Sequence, residues 1–125
     1  MRSLLASAVA AALMVGPAYA DCLYPSPPEK IPDGSTASLD EMMATKKAVK
    51  DYNDATNAYV DCVKNEHDAA VAKGGDQLTD KQKVDLQRIE IERQNAAVTE
   101  LQNIANRFNE QIRAFKAKGQ PKTTP

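Results

Sequence analysis

Gly74-Gly75-Asp76-Gln77-Leu78-Thr79-Asp80-Lys81-Gln82 is the stretch that decides the fold of this chain. Two adjacent glycines stop a helix arriving from the N-terminal side, since only proline is a poorer helix former. Thr79 then opens a capping box: its hydroxyl accepts from the Gln82 N–H, the Gln82 side chain reaches back to the Thr79 N–H, and Leu78 lies just outside as a hydrophobic anchor. One helix ends and another begins within a few residues, which forces the two to run antiparallel.

Toward the N-terminus nothing breaks a helix until Ser38-Leu39-Asp40-Glu41, a second capping box. The first helix is therefore expected over 39–73, a rod of about 52 Å at 1.5 Å per residue. Toward the C-terminus the second helix is expected over 80–118. There Gly119 is placed for the left-handed position after a helix end and Pro121 forbids continuation, while Arg113, Lys116 and Lys118 complement the negative end of the dipole. Residues 119–125 are then a flexible tail.

Both helices carry apolar residues at alternating three- and four-residue steps, the pattern of a coiled-coil seam. In the first these are Met42, Val49, Tyr52, Tyr59, Val63 and Ala70, with Thr45 and Thr56 as weak links; in the second, Val84, Ile91, Val98, Leu101, Ala105, Phe108, Ile112 and Phe115. Counting outward from the linker places Val63 near Ile89, Tyr59 near Arg93, and Met42 near Phe108 or Glu110. The fold class is thus all-α, a long antiparallel two-helix hairpin spanning 38–118. Leu86, Ile89, Ala97 and Ile104 widen the apolar face of the second helix beyond a two-per-heptad seam and form the candidate interaction surface. A third layer should cover it, either the N-terminal arm through Leu23, Tyr24 and Ile31 or a second subunit completing a four-helix bundle.

Residues 21–37 hold Pro25, Pro27, Pro28 and Pro32 followed by Asp33-Gly34, so this arm is extended and ends in a turn. Its Cys22 and the helical Cys62 are the chain's two cysteines, and a disulfide between them is expected in an oxidising compartment. The lengths agree: Ser38 to Cys62 climbs about 36 Å as helix, and Cys22 to Gly34 spans about 37 Å as polyproline. The arm would then lie back along the first helix.

Such a compartment is indicated by residues 1–20. Met1-Arg2 is a short basic start, Leu4 to Val15 an apolar run, and Ala18-Tyr19-Ala20 a small-x-small cleavage site, which together read as a signal peptide cut after Ala20. The apolar run falls short of the roughly 20 residues needed to span a bilayer, so no integral membrane segment is expected once the leader is gone. Cys22 invites a lipoprotein reading, but Asp21 and Tyr19 stand where that processing signal wants a small residue and Leu. The destination is the periplasm or the medium.

The formal charge is −1, and −2 once Arg2 leaves with the leader, which offers nothing to nucleic acid or an anionic membrane. No phosphate loop, G-x-S-x-G or H-E-x-x-H occurs, and neither catalytic residues nor a cofactor are assigned. His67 stands between Glu66 and Asp68, but successive helical residues point about 100° apart, so the three do not converge on a metal. The spacing of Lys47 with Asp51 and of Lys50 with Asp54 marks surface pairs.

The order Cys22, Pro27-Pro28, Ile31-Pro32-Asp33-Gly34, Glu41-Met42, Tyr52 and Tyr59-x-x-Cys62 resembles a group of small, uncharacterised exported proteins of Gram-negative proteobacteria. That resemblance covers residues 22–62 and brings no activity with it. Leu78-Thr79-x-x-Gln82 in turn resembles the LTxxQ signature of the Spy and CpxP periplasmic stress proteins, helical dimers that shield unfolded clients or modulate envelope signalling. One copy is present where that family carries two. The sequence thus leads to a non-enzymatic exported helical protein with a structural or interaction role, its partner a second copy or an envelope protein. The alternative is a Spy-like chaperone or envelope-stress modulator.

Overall fold

The computed structural model describes residues 21–119. The leader and cleavage site expected within residues 1–20, and the tail expected beyond Gly119, lie outside the described residues. Helix α1 runs Leu39–Gly74, a single 3₁₀ turn follows at Gly75–Gln77, and helix α2 runs Asp80–Lys118. The two helices pack against each other as an antiparallel hairpin, and no helix among the described residues is long and apolar enough to cross a membrane.

Both helix starts are built by reciprocal caps. The Ser38 hydroxyl accepts from Glu41 N–H at 3.2 Å while Ser38 N–H donates to the Glu41 carboxylate at 2.7 Å. Thr79 and Gln82 repeat this at 3.2 and 2.9 Å. Helix α1 ends at Gly75, which adopts φ +49° and turns its N–H back to Val71 O, and Leu78 folds over Gly74. The far end of α2 departs from expectation. Gly119 is right-handed, with φ −83° and ψ −5°, and its N–H reaches Lys116 O at 3.3 Å, so α2 closes by tightening its last turn rather than through a left-handed glycine.

The hairpin core has two apolar centres. Near the open end, Met42 and Phe108 pack with Ala37 and, around them, Ile31, Val49, Ile112 and Phe115; nearer the linker, Tyr59, Val63 and Ala97 pack with Cys22. Thr45 and Thr56 are buried between them because each hydroxyl donates to the carbonyl four residues back, at 2.8 Å, and so carries no unmet polar group into the interior. The Met42–Phe108 and Tyr59–Arg93 pairings occur as the register predicts.

The expected seam of α2 holds only in its C-terminal half. Val84, Ile91 and Val98 are 63, 46 and 37% exposed, and the stripe turned toward α1 is Leu86, Glu90, Arg93, Ala97, Ile104 and Phe108. The rotation has two causes. Arg93 must face α1 to reach Glu66 and Tyr59, and small Ala97 must lie where the arm crosses.

The arm is a third layer laid across both helices, not along α1 alone. It starts at the Cys22–Cys62 disulfide, whose Cα atoms are 5.7 Å apart. Tyr24 meets the Tyr59 ring edge-on at 5.1 Å between centroids, while its hydroxyl donates to Glu100 of α2 at 2.9 Å. Pro25 and Pro32 are buried, Gly34 rests on the α2 backbone at Gln111, and Lys118 donates to Ala37 O. Ile31 packs inward as expected, but Leu23 points to solvent.

Candidate functional site

The densest polar cluster lies where the disulfide joins arm to hairpin. Glu66 of α1 accepts from Cys22 N–H at 3.2 Å and from the Arg93 guanidinium at 2.6 Å, and Arg93 Nε donates to the Tyr59 hydroxyl at 3.3 Å. Arg93 also stands 5.7 Å from the Tyr59 ring centroid, a cation–π distance. The guanidinium beside it holds the Glu66 carboxyl below its usual range, aided by the Cys22 N–H. The hydrogen bond to Glu100 pushes Tyr24 up to about 12. Every member of this cluster has a partner, so its chemistry is that of a clamp.

Beside the clamp is a cleft of about 160 Å³ lined by Glu66, His67, Leu86, Ile89, Glu90 and Arg93 among others. His67 Nδ1 lies 3.2 Å from Glu90 and 3.4 Å from Asp68. Among the described residues, the three metal-capable side chains that converge are Cys22, Cys62 and Glu66, and those two sulfurs are bonded to each other.

The four residues of the expected interaction surface separate in space. Ala97 is 0% and Ile104 7% exposed, both inside the hairpin, whereas Leu86 is half-buried and Ile89 largely exposed on the cleft wall. They belong to the core and to the cleft, and apart from Ile89 the exposed apolar residues of the two helices lie elsewhere. One set is the outward stripe Val84, Ile91 and Val98 of α2.

The second set forms a groove of about 470 Å³ near the open end of the hairpin. Met42, Phe108, Ile112 and Phe115 form its floor, and Leu39 and Met43, 61 and 55% exposed, stand on its α1 wall. Lys46 on α1 and Lys116 on α2 border it, and no carboxylate lines it. Sequence reasoning missed this place. The available signal was Leu39 and Met43, four apart and off the Met42–Val49 seam, with Lys46 one turn on.

The chain matches no protein-family model, and comparison with curated proteins and with solved structures finds no similar chain.

Proposed function

We propose that this chain is an exported, non-enzymatic helical protein of the bacterial envelope that works by presenting binding surfaces to a protein partner, an envelope protein or a second copy of itself. The observation carrying this reading is the exposure of two apolar patches, the α2 stripe and the open-end groove, on a hairpin held by a disulfide and a third-layer arm. A frame fixed this way limits the ordering cost of association, because the displayed side chains sit on helices already in place. The disulfide and the leader-like first residues together support an oxidising destination outside the cytoplasm.

Cell fractionation with intact-mass measurement tests export: the reading expects a chain beginning at Asp21 in the envelope or the medium. A chain retained in the cytoplasm with its leader contradicts it. In-cell crosslinking tests the binding role, which requires adducts that disappear when Val84 and Ile91 on the stripe and Met43 in the groove are all changed to Glu.

A second reading, a chaperone similar in action to Spy, draws on the LTxxQ residues at Leu78, Thr79 and Gln82 and on the exposed α2 stripe. It requires suppression of client aggregation at stoichiometric ratios, and failure to suppress removes it.

A further inference from the structure

We infer that the open-end groove is a docking site for an acidic amphipathic helix of a partner protein, laid between α1 and α2 as a third rod. This rests on the reading of the chain as a binding module and names the partner for one of its two exposed patches. The apolar floor and the exposed Leu39 and Met43 supply a surface for a helix presenting apolar anchors at i, i+3, i+4 and i+7.

The charges select the partner. Lys47, Lys50, Lys64 and Lys81 each pair with an aspartate four residues on, whereas Lys46 and Lys116 have no carboxylate partner among the described residues. Lys30, Lys83, Arg107 and Arg113 are likewise without an ion pair among the described residues, so what distinguishes Lys46 and Lys116 is their place: on a chain that is slightly acidic as a whole, both border an apolar groove that no carboxylate lines. They stand on opposite walls. With Met42 packed on Phe108, Lys46 lies one turn further along α1 and Lys116 two turns further along α2, which separates their α-carbons by about 18 Å along the hairpin axis. Helical Cα–Cβ bonds tilt toward the N-terminus, so the two lysine side chains leave their helices inclined toward each other along the groove that both line. A fatty acid carries one anionic head for two separated cations. A helix with glutamates on both flanks of its apolar stripe meets each wall. A second copy docked groove to groove brings the same two lysines and no lining carboxylate, so it offers these cations no charge partner.

The probe is a three-heptad synthetic helix with Leu at the apolar positions and Glu at the flanks, measured by fluorescence anisotropy against the oxidised protein. A twin with Lys at the flanks and a long-chain fatty acid are run beside it. The expected result is binding of the Glu peptide at least tenfold tighter than that of the Lys peptide. In Lys46→Glu/Lys116→Glu that preference reverses, and in Met43→Asp binding is lost, circular dichroism showing both variants folded. No binding of the Glu peptide, equal binding of both peptides, saturable binding of the fatty acid alone, or a light-scattering mass of a dimer that Met43→Asp dissolves would each overturn the proposal. All of these outcomes leave the α2 stripe, and with it the broader binding role, to stand or fall on the crosslinking test.

Discussion

The Gly34 N–H donates to the side-chain carbonyl of Gln111 at 2.9 Å, joining the end of the arm to the last third of α2 across 77 residues of chain. At that point the arm lies so close to the helix that a Cβ on Gly34 would collide with the backbone carbonyl oxygen of Gln111. The arm therefore depends on a residue without a side chain where it crosses α2.

Gly34→Ala must push the arm away from α2. Crowding of this kind costs about 2 kcal/mol, which lowers the melting temperature of a domain this size by roughly 10 °C. Thermal unfolding followed by circular dichroism checks it, and an unchanged midpoint would mean that the arm does not press on Gln111.

The disulfide closes a loop between Cys22 and Cys62, 40 residues apart. On the chain-entropy view, Cys22→Ser/Cys62→Ser loses up to about 4 kcal/mol. The helical signal should survive in the folded variant while the arm gains protease sensitivity, because the helices keep their caps and most of their apolar contacts. Urea melts with limited proteolysis read both effects.

Acid should loosen the clamp through Glu66. Its carboxyl is held below the ordinary value of 4.5 by Arg93 and the Cys22 N–H, so the folded state favours the ionised form. This contribution is fully present above pH 4.5 and is lost as pH falls through the lower folded-state value. Glu66→Gln should therefore reduce stability at neutral pH and flatten its decline in acid. Wild-type and variant melts at pH 7 and pH 3 test the sign: the difference between them must shrink at the lower pH.

Tyr52 is buried, and its hydroxyl has no hydrogen-bond partner among the described residues. Burial, and after it the Glu100 charge, raises its pKa, and the Thr56 side chain, which does not reach the hydroxyl at hydrogen-bond geometry, offsets only part of that rise. Removing an unsatisfied polar atom relieves its desolvation penalty, so Tyr52→Phe should stabilise the protein by about 1 kcal/mol, unlike most core substitutions. A lowered melting temperature would contradict this.

Local chemistry made much of the fold legible in advance. Ser38 with Glu41 and Thr79 with Gln82 mark both helix starts, and the Gly74-Gly75 break sets the register that brings Tyr59 to Arg93 and Met42 to Phe108. The disulfide followed from two cysteines and matched lengths of arm and helix. The phase of α2 before Leu101 was not legible, because apolar periodicity treats Glu90 and Arg93 as surface. Both turn inward here, since Glu66, Tyr59 and His67 satisfy them across the hairpin. That rotation put Ala97 and Ile104 inside and left Val84 and Ile91 outside. The groove was hidden for a related reason: its floor and walls come from opposite ends of the chain, and nothing near Lys116 announces Lys46.

The central claim is that the proline-rich arm is a structural layer seated on both helices. Nuclear Overhauser contacts of the Ala37 methyl group in the oxidised protein test it most directly. The structure requires cross-peaks from Ala37 to both Met42 and the Phe108 ring, with a protected Gly34 amide. Random-coil shifts through residues 22–37 with no contact to Phe108 would contradict it.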